Sequence, residues 1–107
     1  FIRELVQDFL ELENYHCETA SNLEQAVQLI ESGEHTFALI LLDRNLEDKS
    51  PEEVIIELRA VQSETPIVIM TGDLDIPDDF LSKYNISAVI NKPFQYDEFI
   101  NTVKQSL

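Results

Sequence analysis

The order of apolar periods along the chain predicts an α/β fold, a doubly wound parallel sheet with helices on both faces. Three observations predict it. Apolar runs of strand length alternate with longer stretches of helical period from one end to the other. The connections between them are short, as in wound α/β units. And of the short apolar runs at 37–42, 66–70 and 87–90, the first is apolar on both faces, which a strand covered by helices on each side requires.

Each element has its own local reason. Ile2, Leu5, Val6, Phe9 and Leu10 fall on one face, with charged residues opposite, and predict a helix over 1–12. Tyr15 to Thr19 is a strand candidate with imperfect alternation. Ser21, with Glu24 three positions on, has the spacing of a capping box for a second helix. Leu23, Ala26, Val27 and Ile30 make its buried stripe, and Gly33 stops it. The strand 37–42 follows. Ser50-Pro51-Glu52-Glu53 then supplies an N-cap, a proline at the first helical position and a third-position glutamate, opening a helix to about Gln62. Val54, Ile55, Leu58 and Val61 are its core residues. A strand over 67–70 ends at Thr71, Gly72 opens a loop, and Pro77-Asp78-Asp79 starts a short helix carrying Phe80, Leu81 and Tyr84. After a strand at 86–90, a last helix over about 95–106 turns Tyr96, Phe99, Ile100 and Val103 inward. A unit wound in this way begins with a strand, whereas this sequence opens in a helix. The expectation is an N-terminally incomplete single domain over 1–107, whose first strand lies upstream of Phe1.

Composition excludes several classes of function. The chain of 107 residues has 7 Lys and Arg against 21 Asp and Glu, a formal net charge of −14, which repels nucleic-acid phosphates and anionic membrane surfaces alike. No apolar stretch approaches the ~20 residues of a membrane span, and no signal segment opens the chain. The lone Cys17 excludes an internal disulfide and fits a reducing, cytoplasmic setting. Asn85-Ile86-Ser87 matches a glycosylation sequon but abuts a core strand. His16 and His35 have no neighbouring ligands that would mark zinc. The acidic stretch Asp73, Asp75, Asp78, Asp79 fails the calcium-loop pattern, with Pro77 and Asp78 where that loop wants an acid or amide and a glycine.

The chemistry concentrates where the strands stop. Parallel neighbours share one carboxyl-terminal edge, the edge at which open α/β sheets bind and react. The three apolar runs end on Asp43, on Thr71, and on Asn91-Lys92-Pro93, so a carboxylate, a hydroxyl and an ammonium are expected to meet around one space. Phosphoryl transfer asks for an in-line nucleophile and positive charge to balance the equatorial oxygens, and little more. Asp43 is the acid placed directly at the end of an apolar strand and is assigned as the nucleophile. Lys92 is the point charge that contacts a phosphoryl oxygen and pairs with Asp43 at rest, and Thr71 donates to another oxygen. Mg²⁺ wants about six oxygens, often one or two from carboxylates. Asp43 and the backbone carbonyl of Asn45 are candidate ligands. No glycine-rich phosphate loop is present, and Asp43-Arg-Asn-Leu-Glu47 lacks the second aspartate and threonine of a haloacid-dehalogenase phosphatase, so an independent enzyme is not expected.

These residues resemble the receiver domain of response regulators, the CheY-like module of bacterial two-component signalling. The resemblance runs from the first helix to the end. Leu41-Leu42-Asp43-Arg44-Asn45-Leu46 resembles the strand carrying the phosphorylated aspartate, Thr71-Gly72 the switch hydroxyl and its small neighbour, and Asn91-Lys92-Pro93-Phe94 the Lys-Pro-Phe signature. Thr71 and Lys92 follow Asp43 by 28 and 49 residues, near the family's spacing. What the resemblance implies is a flavodoxin-like strand order 2-1-3-4-5, a cis bond before Pro93, and a further acidic metal-binding pair just before Phe1. It implies a histidine kinase or phosphotransfer protein as phosphodonor, docking at the first helix. It also implies an output or homodimer face made by the fourth helix, the strand 86–90 and the last helix. Three positions depart from the pattern: Val89 stands where an aromatic switch residue is usual, Glu47 where proline is, and Pro51 where glycine is. They keep open a second reading, a pseudo-receiver that serves as a docking module without phosphorylation.

Overall fold

The computed structural model describes residues 2–34, 36–43, 51–61, 64–72 and 78–107. Among these the elements run α1 (Ile2–Leu12), α2 (Leu23–Glu31), β1 (Ile40–Asp43), α3 (Pro51–Val61), β2 (Ile67–Thr71), α4 (Asp78–Lys83), β3 (Ile86–Asn91) and α5 (Tyr96–Ser106). The three strands are parallel and lie in the order β1-β2-β3. Leu42 stands opposite Ile69 and Ile69 opposite Val89, with one irregularity in register at Ile67 and Val68.

Alternation along the strands sorts the core into two layers. Val68, Met70 and Ile90 point to the side covered by α1 and α5, where Val6, Leu10, Phe99, Ile100 and Val103 meet them. Ile67, Ile69 and Leu42 point to the other side, against Leu23 of α2 and Val54, Ile55 and Leu58 of α3, with Leu81 and Tyr84 at the margin. β2 is buried along its whole length, as a central parallel strand must be. The doubly wound architecture is thus built as the periodicity predicts.

Helix ends follow their capping residues, with one shift. Asn22, not Ser21, caps α2: its side chain accepts from the Gln25 amide at 2.8 Å. Gln25 Oε1 accepts from the Ser21 amide and hydroxyl at 2.9 and 2.8 Å, so its side chain reaches one residue past the cap, and the cap sits one residue later than the Ser21–Glu24 spacing suggests. Asn is at least as good an N-cap as Ser. Gly33, at φ +72°, ends α2 in the left-handed conformation that costs glycine least. α1 ends on Asn14 at φ +65°, with Tyr15 N–H donating to Leu10 and Asn14 N–H to Glu11, the paired bonds of a Schellman stop. The predicted cap Ser50 lies outside the described residues, as do Gln62 and the loop 73–77.

Two expectations are corrected. Residues 15–19 form no strand, and of the run 37–42 only 40–42 are strand, with Asp43 added. The reason is the same for both. Strand geometry is held by ladder bonds to a neighbour, β1 is paired on the β2 side, and its other edge faces a cavity of about 720 Å³ that separates it from residues 15–20. Val61, also expected in the core, is only half-buried at the end of α3.

Candidate functional site

The register of the sheet decides what meets at its carboxyl edge. Asp43 is opposite Met70 and Thr71 is opposite Asn91, so Asp43, Thr71 and Lys92 step along one rim on three adjacent strands. The ladder continues one bond past β3, where the Lys92 amide donates to the Thr71 carbonyl at 2.7 Å. That bond holds the base of the lysine side chain at the end of β2. β1 and β3 lie two strand spacings apart, about 10 Å, which a lysine stem can cross. It does: Lys92 Nζ donates to Asp43 Oδ1 at 2.8 Å, with side-chain exposures of 22% and 24%. A pair this sheltered is less screened than one on an open surface. Thr71, at the end of β2 between β1 and β3, is 1% exposed.

Beyond Lys92 the chain turns sharply. The Lys92–Pro93 bond is cis, as the resemblance implied. Phe94 then stacks on Phe99 at 5.3 Å between centroids and meets Phe9 edge-on at 6.4 Å, while Tyr96 meets Phe9 edge-on at 5.0 Å. These rings seat the strand-to-helix turn against α1 and so fix where Lys92 emerges. Val89 packs half-buried against the α3 side of the sheet, without a ring to turn.

Of the predicted site residues, the structure brings Asp43, Thr71 and Lys92 to one rim. Asn45 lies outside the described residues, as do Glu47, His35 and the loop acids Asp73 and Asp75. Among the described residues no group of three or more His, Cys, Asp or Glu side chains forms an ion site. The described chain therefore brings to Mg²⁺ one fitting donor, the Asp43 carboxylate, and a full coordination shell needs oxygens from elsewhere. His16 is a surface residue beside Glu18, at 3.2 Å.

Two groupings away from the rim were not foreseen. Arg59, in the last turn of α3, donates to three main-chain carbonyls: Thr65 at 2.6 Å, Asn85 at 3.0 Å and Tyr84 at 3.3 Å. It ties the approach to β2 and the α4–β3 turn to one helix, and partial burial lowers its pKa. The Tyr84 hydroxyl donates to Glu52 at the other end of α3, and that bond raises the tyrosine's pKa. At α1, Glu13 accepts from Tyr96 at 2.6 Å and pairs with Lys104 at 2.8 Å, joining α1 to α5. First the Lys104 ammonium and then the Tyr96 hydroxyl hold the Glu13 carboxyl below its usual value, and Tyr96 is pushed up to about 12. A basic residue in the last turn of α3 was the available signal for Arg59. Nothing local marked Glu13, whose partners lie more than eighty residues on.

The chain matches the family model of the response regulator receiver domain over residues 1–104. It is 30% identical to an uncharacterized transcriptional regulatory protein, YkoG, of Bacillus subtilis, across 99% of this chain and 46% of that protein. It is 31% identical to the cell cycle response regulator CtrA of Brucella ovis, across 92% of this chain and 42% of that protein. The chain thus spans somewhat less than half the length of these relatives. Among solved structures, the receiver domain of NtrX from Brucella abortus superposes with a TM-score of 0.86 at 25% identity, covering 99% of this chain and 89% of that one.

Proposed function

This chain belongs to the response regulator receiver domain family of two-component systems, and from that premise we propose that Asp43 accepts a phosphoryl group from a phosphohistidine. The observation that carries the proposal is the 2.8 Å contact between Lys92 Nζ and Asp43 Oδ1 across the end of β2. A carboxylate kept beside a fixed cation, at the open edge of a parallel sheet, is poised for attack on phosphorus.

In the step proposed, a carboxylate oxygen of Asp43 attacks the phosphorus of phosphohistidine, forming an acyl phosphate. The phosphorus–nitrogen bond breaks, and its electron pair returns to the donor imidazole, which takes up a proton. Lys92 leaves the carboxylate for a phosphoryl oxygen, where it balances the added charge. Thr71 donates a hydrogen bond to another oxygen. If Mg²⁺ binds, Asp43 and the Asn45 carbonyl are the groups that would hold it in part, and it would supply further charge neutralisation. Receiver domains generally work with histidine kinases or phosphotransfer proteins, and such a protein is the donor proposed here. The chain acts as a phosphoacceptor, with any hydrolysis of its own acyl phosphate a property of the same site and not of an independent enzyme.

A switch follows from linkage. The phosphoryl group stabilises whichever packing lets Thr71 and Lys92 both reach it. Val89 carries no aromatic ring, so the signal passes by repacking of α4 and β3 and not by a ring rotamer. That face is the proposed output and homodimer surface, and in a cytoplasmic regulator it would control an effector. The net charge of −14 argues against direct nucleic-acid contact by this domain. No described helix is long and apolar enough to cross a membrane.

Incubation of a chain that includes the residues upstream of Phe1 with acetyl phosphate and Mg²⁺, followed by intact mass and peptide mapping, tests the proposal. One phosphoryl group on the peptide containing Asp43, absent from Asp43→Ala, is the expected result. No incorporation in the unaltered chain would instead favour a docking module that works without phosphorylation.

A further inference from the structure

We infer that the Tyr84 hydroxyl and the Glu52 carboxylate form a latch that holds the α4–β3 turn in its resting packing against α3, and that this latch opens when the switch proposed above is thrown. The inference takes its use from that switch and its existence from side-chain geometry.

The turn is held from one helix in two ways. Only Tyr84 and Asn85 connect α4 to β3, and Asn85 takes the left-handed conformation at φ +55°. The carbonyls of both residues, with that of Thr65, accept from Arg59 in the last turn of α3. The main chain of the turn is thus anchored at the carboxyl-terminal end of α3. The Tyr84 side chain reaches the other end. Its hydroxyl donates to Glu52 in the first turn of the same helix, about 10 Å along the axis from Arg59. Its ring packs half-buried on the core layer of Val54, Ile55 and Leu58, the layer that also holds Val89. Lys83 sets its ammonium over that ring at 5.3 Å, but Lys83 belongs to α4 and moves with it. Glu52 belongs to another helix, so a shift of the turn relative to the start of α3 breaks the hydroxyl bond.

The position of Glu52 gives the latch its meaning. It stands nine residues after Asp43, in the helix that winds back from the carboxyl edge of β1 toward the start of β2. In the proposed switch α4 and β3 repack without a ring at Val89. A ring with a polar tip already lies in that layer five residues earlier, tied to the helix that follows Asp43. A contact made in one packing and lost in the other biases the equilibrium by its own free energy, and a hydrogen bond to an ionised carboxylate is stronger than a neutral one. The three bonds of Arg59 serve as the pivot. The hydroxyl bond, open to water, is the part that lets go.

Tyr84→Phe keeps the ring and removes the hydroxyl, and hydrogen exchange on the full-length protein reads the result. Amides of residues 81–87 are expected to exchange at least about threefold faster, with those of β2 unchanged. Phosphorylation by acetyl phosphate should speed up by a similar factor, because the competent packing is populated more often. Glu52→Ala should match Tyr84→Phe, and the double variant should add nothing to either, as one shared contact requires. Glu52→Gln, whose amide oxygen still accepts, should exchange close to the unaltered rate. Unchanged exchange at 81–87 in Tyr84→Phe would overturn the latch, as would equal acceleration in β2 or additive effects in the double variant. Faster local exchange with an unaltered phosphorylation rate would overturn its part in the switch. If the unaltered protein takes up no phosphoryl group, the phosphorylation reading falls and the switch role with it, while exchange still decides whether the latch exists.

Discussion

β2 and β1 are written in nearly the same residues, Ile-Val-Ile-Met-Thr against Ile-Leu-Leu-Asp, yet every residue of β2 is buried and in β1 only Leu42 is. β2 has a ladder on each edge. β1 has one toward β2 and a cavity on its other flank, and Phe37-Ala-Leu39, as apolar as any part of β2, is not strand at all. Apolar character recruits a segment to the core. Only a hydrogen-bonded neighbour makes it a strand.

The sharpest way to break this comparison is to truncate both regions alike. Ile69→Ala, at the centre of β2 with 0% exposure, is expected to cost about 2–5 kcal/mol in urea unfolding, and Leu39→Ala beside the cavity less than half of that. Equal losses would show that the two edges are equally well packed. At the rim, Lys92→Ala removes the ammonium that pairs with Asp43 and should slow phosphorylation by a small phosphodonor on the order of 10²-fold. An unchanged rate would detach the contact from the chemistry.

A smaller effect sharpens the closed side. Arg59→Ala leaves the carbonyls of Thr65, Tyr84 and Asn85 without the guanidinium and should cost about 1–2 kcal/mol. Arg59→Lys recovers only part, since one ammonium cannot span three acceptors held apart. Full recovery would mean that charge alone matters there.

The smallest effect is a pH signature of the α1–α5 tie. Glu13 is held below its ordinary value of 4.5, so its stabilisation is present above that pH and is lost as pH falls through the lowered value. Tyr96 is raised from 10.0 to about 12, so its share is present below pH 10 and is lost as pH rises toward 12. Lys104, raised by the same carboxylate, follows the alkaline sign. Tm measured against pH should therefore fall on both flanks more steeply in the unaltered chain than in Glu13→Gln. Parallel curves would remove Glu13 from the account.

Local physics in the residue string determined much of this protein. Helix faces, the αL stop at Gly33 and the burial of 67–70 follow from period and propensity, which act within a few residues of one another. The rim of Asp43, Thr71 and Lys92 was legible because strand ends are marked by a change from apolar to polar, and parallel strands end together. What the string could not decide were contacts set by pairing and layer. Whether 15–19 and 37–39 become strands depends on a neighbour, not on their own composition. Ser21 lost the cap to Asn22 by a one-residue choice between two good caps. Arg59 finds three carbonyls, and Glu13 finds Tyr96 and Lys104, only after the helices have packed. Such bonds join groups far apart in the chain, and their energy exists only once the sheet has fixed the distances between them.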